Sequence, residues 1–261
     1  MVFKRLMQAM GVGGPEVETV LHDPNTVPGG MITGEVSLRG GTHDSYLSGV
    51  YLALRTRVEV ESRDHEYNSD LEYAKLPITS AFALDSGTRR SFPFRFRIPW
   101  EAPLTHFYGQ RLYGTTVGLA TEVEVTGAVD ATDLDPLAVH PLPAQDRILA
   151  ALAGLGFRFR NADCEKGRIR GMYQELPFYQ EIEFLPPPRF AQGITQLEVT
   201  FVSSPRSMEV VFELDRRGGF LTEGHDSFSR FTVDYATADR TDWQRELEGY
   251  LQHACRRRGF F

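Results

Sequence analysis

The residues best suited to chemistry in this chain are its histidines and the acids beside them. Four times a His adjoins a carboxylate: His22-Asp23, His43-Asp44, Asp64-His65-Glu66 and His225-Asp226. Both groups ligate metals, and a His–carboxylate pair near a hydroxyl is the core of a nucleophile relay. The spacing argues against either use. Neighbouring residues of a strand point to opposite faces, so an adjacent pair rarely closes on one ion. No HxxxH or HExxH is present, and there is no GxSxG turn. Cys164 and Cys255 form no CxxC and carry no local nucleophile signature. Gly11-Val12-Gly13-Gly14 has the texture of a phosphate loop, but it follows a helix-like segment and lacks a Walker Lys, so it reads as a helix stop. The expectation is a protein that is not an enzyme, with no catalytic residues, no metal and no cofactor.

The elements that would position any site are strands. Ser91–Trp100 reads SFPFRFRIPW, with Phe92, Phe94, Phe96 and Ile98 on one side and Ser91, Arg95 and Arg97 on the other. Pro93 marks it as an edge strand or a strand start. Met31–Arg39, Val50–Glu61 and Val117–Val125 alternate in the same way. Helical periodicity is absent from residue 16 to about residue 128, apart from an ambiguous stretch at Leu71–Leu76. Asp130–Pro143, DATDLDPLAVHPLP, has the composition of an interdomain linker. A short amphipathic helix follows at Ala144–Leu155, then strands at Phe157–Asn161, Gln180–Phe184, Thr195–Val202, Met208–Asp215 and Phe228–Tyr235. Gly218–Asp226 reads as a loop, and Asp239–Arg258 closes the chain as a helix. The fold class is therefore all-β: two antiparallel sandwiches, residues 1–128 and 129–261, with short N-terminal, junction and C-terminal helices.

Composition narrows the function classes. The 261 residues are 41% hydrophobic and 24% charged, the balance of a globular chain rather than a disordered one. A net charge of −7 argues against a nucleic-acid binder, since such domains are usually basic. No apolar run approaches the roughly 20 residues that span a bilayer, and no convincing signal peptide opens the chain, which points to the cytoplasm.

Val27-Pro28-Gly29-Gly30, Ile32, Gly34 and Val36, together with Pro93, Phe94, Phe96 and Pro99, resemble the strand motifs of arrestin-fold N-terminal domains. The Phe3–Gly14 opening, the junction Asp133–Phe157 and LPFYQEIEFLPP (Leu176–Pro187) look like the bacterial sporulation-control family of the SpoOM type, over nearly the whole chain. That resemblance implies two arrestin-like β-sandwich domains and a non-catalytic intracellular regulatory adaptor or scaffold. Such a protein would act by protein–protein interaction in sporulation or cell-cycle control. Its partners would be cytosolic proteins.

Two surfaces are candidates for that interaction. One is the terminal helix, whose stripe is Trp243, Leu247, Tyr250 and Leu251; the other is the opening segment with Phe3, Leu6 and Met7. Each stripe has a plainer use, packing on the chain's own sheet. The basic end Arg256-Arg257-Arg258, with Phe260 and Phe261, allows at most weak, reversible contact with acidic lipid. Outward Arg39, Arg55, Arg57, Arg95 and Arg97 alternate with Glu35, Glu59, Glu61, Glu122 and Glu124, as in cross-strand ion pairing on a wet face. Tyr46, Tyr51, Tyr67, Tyr73, Tyr108 and Tyr113 support an alternative, a small-ligand or sugar-binding sandwich.

Overall fold

The computed structural model describes residues 8–9, 13–61, 65–125, 131–191, 193–215 and 229–256. Its first half contains β1 (Gln8–Ala9), β2 (Glu16–Leu21), β3 (Asn25–Thr26), β4 (Met31–Arg39), β5 (Ser45–Glu61), β6 (Glu66–Thr79) and β7 (Phe82–Leu84). It continues with β8 (Arg89–Arg97), β9 (His106–Phe107), β10 (Gln110–Arg111), β11 (Val117–Val125), β12 (Ala131–Pro136) and β13 (Ala138–Val139). The second half holds α1 (Pro143–Gly154), β14 (Arg158–Lys166), β15 (Phe178–Leu185), β16 (Gln196–Ser203), β17 (Ser207–Asp215), β18 (Ser229–Asp234) and α2 (Trp243–Arg256).

In the first half two sheets face each other. One has the order β1-β2-β4-β8; the other is built on β12-β11-β5, with β6 and β7 also paired to β5. Alternation decides which side chains lie between them. Val17, Ile32, Val36, Leu38, Phe94 and Phe96 from one sheet meet Leu47, Val50, Leu52, Leu54, Leu119 and Val123 from the other, all buried in one cluster. A polar contact crosses this core, the 2.6 Å hydrogen bond between the Thr19 and Thr121 hydroxyls. The Phe94 ring lies over Gly34, its directly opposed partner, where any Cβ would meet the ring at 2.8 Å.

The stretch Leu71–Leu76 resolves as strand inside β6. The expected linker is also strand: Ala131–Pro136 pairs in antiparallel register with Gly118–Val123. Its acids and prolines suit it to a sheet edge, where one side needs no partner. Gln8–Ala9 is extended and pairs with Glu16–Val17, while Phe3, Leu6, Met7 and Met10 lie outside the described residues. The expected boundary at 128/129 and the Gly218–Asp226 loop also lie outside them.

The second half is a meander, β14-β15-β16-β17-β18. Among the described residues the layer opposite this sheet is helical rather than a second sheet. α1 contributes Ile148, Leu149 and Leu152, and α2 contributes Leu247 and Leu251, to the same cluster as Leu197, Val199, Val210, Phe212 and Leu214. Pro143 starts α1 at a position that needs no N–H, and the Gln145 side chain returns to accept the Leu142 N–H at 2.8 Å. The halves meet along a seam. Glu59 of β5 bridges Glu165 of β14 in parallel. Gln180 of β15 reaches back to Leu104, its amide making 2.8 Å bonds to both the N–H and the carbonyl.

Candidate functional site

The face of the meander turned away from the helices is acidic. Register places Glu183 opposite Glu198, Glu198 opposite Glu213, and Asp163 opposite Glu181. Like charges directly opposed in a sheet repel. Carboxylate oxygens of Asp163, Glu165 and Glu181 lie within 4.8 Å of one another, and so do those of Glu181, Glu198 and Glu213. Oxygen donors grouped in this way are the set that hard cations take.

The electrostatic consequence falls on the central residues. Burial, reinforced by Glu198, Asp163 and Glu213, pushes Glu181 up to about 9. Burial, with Glu183 and Glu59 adding to it, pushes Asp163 up to about 7. Asp163 Oδ1 is buried without a hydrogen-bond partner. At neutral pH the face therefore holds protons that isolated carboxylates would have released.

Glu181, Glu198 and Glu213 of this face lie on the floor of a recess of about 700 Å³. One wall is the segment 167–177 between β14 and β15, which contributes Arg168, Ile169 and Met172. Gln174, 3% exposed, folds that segment on itself. Its Oε1 accepts the Ile169 N–H at 3.1 Å, and its Nε2 donates to the carbonyls of Gly167 (3.1 Å), Leu176 (2.8 Å) and Phe178 (2.8 Å). Arg168 donates to the Gln174 carbonyl. At the tip, Arg230 of β18 donates to the Gly171 carbonyl at 2.7 Å. The segment is thus a preformed lid.

The histidines do not join this site. His22 Nδ1 lies 3.2 Å from the Thr33 hydroxyl, and His43 Nδ1 lies 2.9 Å from the Thr42 hydroxyl. His65 is exposed, and Asp64, His225 and Asp226 lie outside the described residues. Among the described residues, the ligand-like clusters contain carboxylates alone.

The terminal stripe is seated on the chain's own sheet. Leu247 and Leu251 are buried. The Trp243 ring stacks on Phe231 at 6.0 Å and its indole N–H donates to the Ala238 carbonyl at 2.8 Å, while Tyr250 lies 5.8 Å from Phe212. Phe3, Leu6 and Met7 lie outside the described residues. None of the six tyrosines of the sugar-binding alternative lines the recess. Outward charges of the first half do pair across strands, as in Arg55 with Glu122 and Glu72, and Arg39 with Glu16. The acids of the second half carried a signal, one to three carboxylates at the outward positions of each of four successive strands; only the register makes them converge.

A family model described as SpoOM protein matches residues 3–218. The chain belongs to the SpoOM protein family. Within the SpoOM family it is similar to the sporulation-control protein spo0M of Bacillus subtilis (strain 168), 29% identical over 256 residues that cover 96% of each chain. The crystal structure of Spo0M from Bacillus subtilis superposes with a TM-score of 0.82 at 26% identity, covering 93% of this chain and all of that one. The mostly β fold matches that structure, and a regulatory role is consistent with the relative's name. Among the described residues no helix is long and apolar enough to cross a membrane.

Proposed function

We propose that this SpoOM-family protein is a non-catalytic regulatory adaptor that takes up a basic segment of a protein partner in the recess above β15–β17. The observation that carries this reading is the opposed pair Glu198–Glu213 with Glu181 beside it, all three lining the recess. Carboxylates forced into register repel one another, and lysine or arginine side chains entering the recess would relieve that repulsion. The recess is far larger than one ion needs, and Ile169, Met172 and Val211 give the aliphatic stems of such side chains something to cover. Tyr179 is the one aromatic ring of the lining, which leaves a sugar little to stack on.

Titration calorimetry with a Lys/Arg-rich peptide and an acidic peptide of equal length tests the reading. The basic peptide should bind with a strong salt dependence, and the E198Q/E213Q variant should weaken it at least tenfold. Equal binding by wild type and variant would sink the proposal. Calcium binding without peptide binding would reassign the recess to a cation.

A further inference from the structure

The lid is tied to the first half of the chain as well as to its own sheet. Glu101, just beyond β8, accepts the Glu175 N–H at 2.9 Å on each carboxylate oxygen and the Leu176 N–H at 2.8 Å. The Leu176 side chain, 7% exposed, clusters with Phe178, Cys164 and Val58, and Val60, Leu71 and Tyr73 pack against that cluster. Val58, Val60, Leu71 and Tyr73 belong to β5 and β6; the other members belong to the second half. One short piece of backbone therefore carries both a polar hold and an apolar plug of the seam. Gln174 makes the lid rigid, so motion at its base is passed to its tip.

We infer that Glu101 is a latch between the halves: when its carboxylate releases the 175–176 backbone, the lid swings off the acidic recess and the seam around Leu176 opens with it. N–H bonds to a carboxylate are charge-assisted and roughly twice as strong as neutral ones. Once they are broken, the two N–H groups must find water; the exposed Glu175 N–H has it at hand, and the part-buried Leu176 N–H gains it when the Leu176 side chain leaves the seam. The latch goes beyond the adaptor reading and acts on the recess whatever ligand enters it.

The full chain in a C255S background leaves Cys164 as its one thiol. Cys164 is buried in the seam, and burial pushes its thiol up to about 12, so it reacts slowly while the seam is shut. Hydrogen exchange by mass spectrometry and the rate of Cys164 labelling by an aromatic disulfide are compared for Glu101, E101Q and E101A. In E101A, exchange over 167–176 and Cys164 labelling should both rise about tenfold, while amides of β4 and β17 keep their wild-type rates. E101Q, which retains one acceptor oxygen, should fall between; if E101A does not fold, E101Q against wild type decides on the same criteria. Unchanged rates would overturn the latch. So would faster exchange in the lid with Cys164 labelling unchanged, or a rise that extends equally to β4 and β17.

Discussion

Gly29 holds a φ of +71°, and a Cβ there would sit 2.5 Å from the Trp100 indole. The Val27–Gly30 turn is therefore a place where backbone and ring meet without room for a side chain. G29A should cost about 1–3 kcal/mol in urea unfolding, from overpacking and a disfavoured backbone together. A second residue-scale effect comes from Glu181 and Asp163. Their folded values, about 9 and about 7, stand above their ordinary values of 4.5 and 3.8. The folded chain then binds more protons than the unfolded one, so unfolding releases them and stability falls as pH rises. That contribution is intact near pH 4 and is lost progressively through pH 7 and up to about 9. Urea midpoints at pH 5, 7 and 9 should fall for wild type and fall less for E181Q; equal slopes would mean that Glu181 is ionised throughout.

At the scale of elements, α2 is held by its inward stripe. L251A should cost about 2–5 kcal/mol, whereas H253A, on the exposed side, should stay within about 0.5 kcal/mol. Thermal melts of the two variants check the orientation of the helix. Much of this layout was legible in the sequence. The alternation of Phe94, Phe96 and Ile98 against Arg95 and Arg97 defined the buried face of β8, and Ile148 with Leu152 defined that of α1. Strand identity at Leu71–Leu76 was not legible, because β6 takes its order from pairing along β5 rather than from its own mixed pattern. The acidic site was equally hidden. Asp163, Glu181, Glu198 and Glu213 are separated by 15 to 18 residues in the chain, and only the ladder bonds of the meander bring them together. Composition showed the acids but not their meeting.

Over the whole molecule, one buried cluster runs from Val17 and Ile32 in the first half to Leu247 and Leu251 in the second. The halves should therefore unfold together. Trp100 belongs to one and Trp243 to the other, so W243F and W100F variants allow each to be followed by fluorescence. Their denaturation curves should superpose, and separated midpoints would mean two independent folding units. β8 has a different consequence at this scale. Among the described residues it pairs with β4 alone, which makes it an edge strand of its sheet. Pro93 interrupts that edge with a residue that has no N–H, and Arg89, Arg90, Arg95 and Arg97 stud the same strand with positive charge. Crowded copies of this chain are thereby denied a seam along which to polymerise, and a Pro93→Val replacement would leave that defence to the four arginines alone.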